Sequence, residues 1–272
     1  MCGKKEFVMS NATFSFFGKR VLVTGAIRGI GFAIANAFAK CGASLCITDY
    51  SDAITDSAIV LKKSAEEWAE KNGHQVQPVH VVRADLRDAT EREQLICECV
   101  KFLGGIDILV NNAGVQIRHR PEDFPLSDFE AVMDVNLTAV FDLCRLAGKE
   151  MLKQGSGKII NLASMLSYFG GTTVPAYAAS KGGVAQLTKA LANDWASSGI
   201  NVNAVAPGYI DTDMNAALIA NNVRFTEIVS RIPTGRFGTP DEIAPPVLFL
   251  ASDAARYING AIIPIDGGYL GR

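Results

Sequence analysis

A seven-stranded parallel sheet, doubly wound and covered by helices on both faces, is the α/β fold that this sequence predicts. Three observations lead there. Seven short apolar runs alternate with amphipathic stretches along the chain, as expected for buried strands of a parallel sheet separated by covering helices. The first run passes at once into a glycine-rich turn that opens a helical stretch, the arrangement of open sheets that bind ligands beyond the carboxyl ends of their strands. No Pro/Gly/Ser-rich linker, repeat or low-complexity tract interrupts the alternation, so one domain over 18–272 is expected, preceded by a loosely held, flexible extension over 1–17.

Taken in order, RVLVTG (Arg20–Gly25) is the first strand, and AIRGIGFAIANAFAKCG is a helix that stops at Gly42. Ser44–Tyr50 is the second strand, Ala53–Asn72 a helix, and Val76–Leu86 the third strand. A helix over Thr90–Leu103 leads to IDILVNNAG, the fourth strand. Ser127–Gln154 reads as one long helix or a helix pair, KIINLAS as the fifth strand and Ala176–Ser197 as another long helix. Ile200–Gly208 is the sixth strand; after the less regular Asp213–Ile232, a helix over Pro240–Ala251 and the strand GAIIPIDGG close the chain.

Composition narrows the class of protein. With 272 residues, 49% hydrophobic and 20% charged, there is ample material for a globular core. A net charge of −2 gives no general attraction to nucleic acid or to an anionic membrane surface. No apolar run approaches the roughly 20 residues of a membrane helix, and the first residues lack the apolar stretch and cleavage site of a secretory signal. The six cysteines (Cys2, Cys41, Cys46, Cys97, Cys99, Cys144) form no C-x-x-C pair, and His74, His80 and His119 cluster neither with them nor with each other. Buried thiols in a reducing cytoplasm are expected, with no metal site.

The first strand-to-helix turn carries a cofactor signal. In TGAIRGIG the small residues Gly25, Gly29 and Gly31 let backbone N–H groups approach a pyrophosphate, whose charge the helix N-terminus favours. Arg28 and Ile30 belong to the same turn. Asp49 ends the second strand, where a carboxylate can accept hydrogen bonds from ribose hydroxyls and repel a 2′-phosphate. Arg28 would welcome that phosphate. Because Tyr50, and not a second base, follows Asp49, NAD is the expected cofactor, and NADP is the alternative that Arg28 keeps open.

A second signal lies in NLASMLSYFGGTTVPAYAASKGG (Asn161–Gly183). Ser164 stands where a buried strand ends, and Pro175 opens a helix on which Tyr177 and Lys181, four residues apart, share a face. An ammonium beside a phenol favours the phenolate, so Tyr177 is expected to titrate below its usual value of about 10 and to act as general acid and base. Ser164 can donate a hydrogen bond to the same substrate oxygen.

Together these pieces resemble the short-chain dehydrogenase/reductase family from about Gly18 to Arg272. The resemblance rests on TGAIRGIG, Asp85 in ADL, NNAG at Asn111–Gly114, DVNLTAVF around Asn136, Ser164, YAASK at Tyr177–Lys181 and PGYIDT at Pro207–Thr212, in the family's order and spacing. It implies a Rossmann-type fold, a catalytic set of Asn136, Ser164, Tyr177 and Lys181, and a homotetramer paired through the long helices Ser127–Gln154 and Ala176–Ser197. It further implies that Asp85 and Leu86 lie beside the adenine and that Asn112, Ala113 and Gly114 line the cofactor. Lys181 would reach the nicotinamide ribose, with Pro207, Gly208, Ile210 and Thr212 near the nicotinamide and phosphates. Asn136 is expected to position a water that passes the proton outward.

Within that family, SMLSYFGG, VPAYAASKGGV, RIPTGRFGTPDEI and DGGYLGR are most similar to the sugar-acid dehydrogenases of gluconate-like and 2-keto-3-deoxy-gluconate-like compounds. Arg118, His119 and Arg120 follow NNAG on a loop beyond a strand's carboxyl end, where a guanidinium can pair bidentately with a carboxylate. A small polar substrate is therefore expected, its pocket shaped by Arg118, Met165, Tyr168 and a lid over Asp213–Ile232. The alternatives are an NADPH-dependent reductase of apolar ketones or 3-oxoacyl groups, and, in another class, a non-catalytic NAD-binding scaffold.

Overall fold

The computed structural model describes residues 14–272. The elements run β1 (Arg20–Thr24), α1 (Gly29–Ala39), β2 (Ser44–Asp49), α2 (Ile54–Asn72), β3 (Val79–Arg83), α3 (Ala89–Leu103), β4 (Ile108–Asn111), α4 (Leu126–Met133) and α5 (Ala139–Gln154). They continue with β5 (Gly157–Leu162), α6 (Pro175–Trp195), β6 (Ile200–Pro207), α7 (Ala216–Ile219), α8 (Asn222–Val229), α9 (Pro240–Ala251) and β7 (Ile262–Ile265). All seven strands are parallel, in the order β3-β2-β1-β4-β5-β6-β7. The order reverses between β1 and β4, where the connections leaving neighbouring strands diverge and open a crevice at their carboxyl ends.

Each central strand is buried on both faces, which is why it reads as an apolar run. Val21 and Val23 of β1 face Ile34 and Phe38 of α1, Leu61 of α2 and Val247 of α9. Leu22, between them, faces the opposite layer with Leu95 of α3, Leu143 and Ala147 of α5 and Val184 of α6. Removing one such Leu or Phe from water contributes about 2 kcal/mol, so the two layers on one sheet make a rigid base for the crevice.

The packed part of the chain begins before Gly18. Phe16 is buried, its N–H donates to the Cys41 carbonyl at 2.7 Å, and its ring meets Phe38 edge-on at 4.8 Å. The rest of the expected extension, residues 1–13, lies outside the described residues. The third and fourth strands are shorter than predicted: Val76–Pro78 precede the ladder, and Ala84–Leu86 and Asn112–Gly114 leave it to line the crevice. The long helix predicted over Ser127–Gln154 is α4 and α5 joined by one π-turn, Asp134–Thr138. Asp213–Ile232 is more regular than predicted and contains α7 and α8, the latter capped by Asn221, whose side chain accepts the Arg224 N–H.

Cys41, Cys46, Cys99 and Cys144 are buried as predicted, and burial pushes Cys41 up to about 11 and Cys144 up to about 12, far from a reactive thiolate. Cys97, on the polar face of α3, is instead exposed. Among the described residues no group of three or more His, Cys, Asp or Glu could hold a metal, and no helix is long and apolar enough to cross a membrane.

One surface device carries a pH-dependent expectation. Thr239 and Glu242 form a capping box at the start of α9, and Arg236 forks onto the Glu242 carboxylate at 2.6 and 2.8 Å. The Arg236 guanidinium holds Glu242 down at about 2. A carboxyl held below its unfolded value stabilises the fold fully above that value and loses the contribution as pH falls toward the folded one. Glu242→Gln is therefore expected to cost about 1 kcal/mol near neutrality, limited by solvent screening. That difference should shrink as pH drops below about 4.5, the ordinary glutamate range. Urea midpoints of both proteins at pH 7, 5 and 3 test this; a gap that stays constant with pH would rule the pair out as its source.

Candidate active site

One cavity of about 1250 Å³ lies along the carboxyl ends of β1 to β6. Its cofactor half is built from the turn after β1. Gly25 and Gly29 have φ of +64° and +55°, a region that favours glycine. A Cβ on Gly31 would overlap the Gly25 carbonyl and the Asn112 Nδ2. The Asn112 amide donates to the carbonyls of Thr24 (2.9 Å) and Gly25 (3.0 Å) and staples the turn to the loop after β4. Thr24, which the sequence reading passed over, reinforces this: its Oγ1 accepts the N–H groups of Asn112 and Ala113, both at 3.0 Å. Arg28, the residue before α1, makes no side-chain cap, and the first turn holds no acid. The first N–H groups of α1 thus have no side-chain acceptor of their own beside the cavity, a cradle that fits a pyrophosphate.

Asp49 and Tyr50 line the cavity at the end of β2, with Asp85 and Leu86 beside them. Burial pushes the Asp49 carboxyl up, against the backbone N–H groups of Ser51 and Tyr50 and the Arg28 charge, which pull it down. Asp85 is held low by Arg87, which forks onto it. Arg28 pairs with Asp213 at 3.2 Å across the cavity mouth, both side chains well exposed. Ile30, Ala113, Gly114, Pro207, Gly208, Ile210 and Thr212 complete this wall.

The chemical half joins the end of β5 to the start of α6. Ser164 caps the short turn Met165–Ser167 and its Oγ accepts the Leu166 N–H at 3.1 Å, leaving its own O–H to donate into the cavity. Ser167 ties the two catalytic-candidate segments together. Its Oγ donates to the Lys181 carbonyl at 2.6 Å and accepts the Ser164 N–H at 3.3 Å. Pro175 opens α6, and Tyr177 and Lys181 follow on its cavity face with Nζ 5.7 Å from the ring centre. Lys181 is buried and donates to the Leu162 carbonyl at 2.6 Å; burial lowers it to about 8.

The expected acidification of Tyr177 by Lys181 is corrected by this arrangement. Desolvation by the surrounding protein is the largest influence and pushes the phenol up; the Ser164 hydroxyl and the Arg118 charge pull it down. Lys181 donates its ammonium to the Leu162 carbonyl, and the Arg118 charge is the cationic influence that pulls the phenol down.

Asn136 does not line the cavity. It sits fully buried in the π-turn, where its Oδ1 accepts the Val115 N–H (2.8 Å) and its Nδ2 donates to the Val115 carbonyl (2.9 Å) and to Ser180 Oγ (3.2 Å). The side chain thus clips the loop after β4 to α6. Of the three bases on that loop only Arg118 lines the cavity; His119 pairs with Asp128 at 2.7 Å, and Arg120 is not part of the lining. Met165 lines the pocket, whereas the Tyr168 hydroxyl donates to the Ile262 carbonyl outside it. Tyr209, Arg224 and Arg231 line the cavity and were not singled out from sequence. The helix cap at Asn221 was the local signal that could have placed Arg224.

A family model described as Enoyl-(Acyl carrier protein) reductase matches residues 25–270. The 2-dehydro-3-deoxy-D-gluconate 5-dehydrogenase of Pseudoalteromonas atlantica is 46% identical over 259 residues, covering 95% of this chain and 98% of that protein. The Bacillus subtilis protein of the same name is 43% identical over 259 residues, covering 95% and 97%. Among solved structures, a gluconate 5-dehydrogenase from Burkholderia cenocepacia in complex with NADP and tartrate superposes with a TM-score of 0.85 at 35% identity, covering 96% of this chain and 98% of that one.

Proposed function

Since the chain belongs to the short-chain dehydrogenase/reductase family and is thereby an NAD(P)-dependent oxidoreductase of CH–OH groups, we propose that it interconverts a secondary alcohol of a sugar acid with its ketone. The observation that carries this reading is Arg118, whose guanidinium lies in the same cavity as Ser164 and Tyr177 and has no carboxylate partner within 4 Å among the described residues. A substrate carboxylate supplies that partner. The names of the relatives, which are dehydrogenases of gluconate-type acids, support the same class.

A nicotinamide cofactor, when bound, gives or takes the hydride. The protein's own residues handle the oxygen and its proton. In oxidation the Ser164 hydroxyl holds the substrate oxygen, and Tyr177 takes its proton; in reduction Tyr177 returns it. Lys181 fixes the floor of the site through Leu162, and the family resemblance gives it the nicotinamide ribose as a further partner when the cofactor is bound. Asn136 acts through Val115 by holding the loop that carries Arg118. For the cofactor we favour NAD, because Asp49 lines the cavity at the end of β2, where a carboxylate accepts hydrogen bonds from ribose hydroxyls and repels a 2′-phosphate, while Arg28 is drawn to Asp213. NADP is the second reading; Arg28 supports it once released, and the Burkholderia relative holds NADP. A homotetramer is proposed from the family resemblance and from Leu126, Phe141 and Leu152, apolar and exposed on α4 and α5. Free thiols fit a reducing cytoplasm.

Steady-state rates with NAD and NADP on gluconate, 2-deoxy-gluconate, 2-keto-3-deoxy-gluconate, neutral polyols and an apolar secondary alcohol test the proposal. Turnover of the acids is expected, with Arg118→Ala raising KM about tenfold to a hundredfold. Turnover confined to apolar alcohols and ketones with NADP(H) would overturn both the substrate and the cofactor reading.

A further inference from the structure

The segment between β6 and α9 brings two more cations to the cavity. Arg224 stands in α8, Ile228 in its last turn and Arg231 in the turn just beyond its end. All three line the cavity, as do Arg118 and Tyr209. The apolar side of the same segment holds it in place. Ile228 and Ile232 are buried against Phe237, and Phe225 meets Phe237 at 5.0 Å between ring centres. Arg224 therefore projects from an anchored helix, and Arg231 from the turn that follows it.

Their charges are unmatched within the protein. Among the described residues none of Arg118, Arg224 and Arg231 has a carboxylate within 4 Å. The one side-chain hydrogen bond of Arg118 is to Gln116 Oε1, at 2.9 Å. Glu227 also lines the cavity, on the same helix, but pairs with neither neighbour. Arg118 is lowered first by burial and next by the Arg224 charge, and the Tyr209 phenol lies within the field of all three arginines. All three arginines keep solvent exposure; like charges that line one cavity without an internal counter-ion repel one another, and a shared anion relieves that repulsion.

We propose that Arg224 and Arg231 complete, with Arg118, a three-arginine anion site that binds the substrate carboxylate from the α8 side. This deepens the sugar-acid reading and rests on it. The consequence is a division of labour: the loop after β4 and the α8 segment grip one anion from two walls, while Ser164 and Tyr177 address the hydroxyl to be oxidised. Selection of an acid over the matching polyol is then a property of α8 as much as of Arg118.

The test uses the full-length enzyme with Arg224→Ala, Arg231→Ala and Arg224→Lys. Each alanine variant is expected to raise KM for the turned-over sugar acid, and the inhibition constant of L-tartrate as an anion probe, by about tenfold. Melting temperature and NADH affinity should stay near wild type, and Arg224→Lys should recover part of the loss. Unchanged KM and tartrate inhibition in both alanine variants would overturn the anion site while leaving the sugar-acid reading intact. Loss of NADH affinity or melting temperature in parallel with KM would overturn it as well, by showing a packing role. If the wild type turns over only neutral alcohols, the sugar-acid reading fails. Tartrate inhibition that is weakened in Arg224→Ala would then still establish the anion site, and absence of tartrate inhibition would remove it.

Discussion

Tyr177→Phe is expected to lower kcat by roughly a hundredfold to ten-thousandfold, the usual range for loss of a positioned acid or base. The change keeps the ring and its packing on α6 and removes only the hydroxyl, so NADH affinity should stay within about threefold of wild type, as for a group that acts on the chemical step. Wild-type alcohol oxidation should rise with pH, because the phenol is pushed up by burial and must lose its proton to accept one from the substrate. Arg118 and Ser164 oppose that push, so Arg118→Ala should move the same limb of the profile to higher pH. Stopped-flow turnover and a pH profile from 6 to about 10, the ordinary tyrosine value, decide the matter. A Phe variant within tenfold of wild type, or one with the same pH dependence, would assign proton transfer to another group.

The second large effect is expected at Gly31. A methyl group there has no free space, because the Gly25 carbonyl and the Asn112 amide already occupy the position of a Cβ. Since Asn112 also donates to the Thr24 and Gly25 carbonyls, Gly31→Ala must shift the turn and its staple together. Overpacking of this kind costs about 1–3 kcal/mol in stability. The larger loss should fall on cofactor binding, because the N–H groups at the start of α1 move off their common focus. We expect NADH affinity to drop more than a hundredfold, about 3 kcal/mol, with the far-ultraviolet circular dichroism of the native fold retained. Fluorescence titration of NADH measures it directly. An unchanged dissociation constant would mean that the glycine turn is a tight connection and not a phosphate cradle.

Much of this architecture was legible along the chain because a parallel sheet buried on both faces leaves continuous apolar runs. All seven strands were found that way. The misplaced ends share one cause. His80 to Leu86 and Ile106 to Gly114 are continuous in composition, but the hydrogen-bond ladder stops at Arg83 and at Asn111, where the chain turns away to line the cavity. The helices α7 and α8 escaped notice because they are short, with four and eight residues, too few for a helical period to declare itself. For the site, Ser164, Tyr177, Lys181 and the glycine turn could be named because their spacing is local to one turn or one helix.

What the sequence determined by itself, then, is the set of elements and the local constellations: the succession of chemistry-bearing turns along the chain, the shared face of Tyr177 and Lys181, the acid at the end of β2. These depend on periods of two and 3.6 residues and on backbone freedom at glycine, and all of them act over a few residues. Tertiary structure alone decided which partner each polar group finds. Lys181 aims at the Leu162 carbonyl, Asn136 closes on Val115, Arg28 crosses to Asp213, and Arg224 and Arg231 join Arg118 from more than a hundred residues away in the chain. Electrostatics and desolvation depend on distance in space and on the solvent excluded by other elements, and neither quantity is carried by the spacing of residues along the chain.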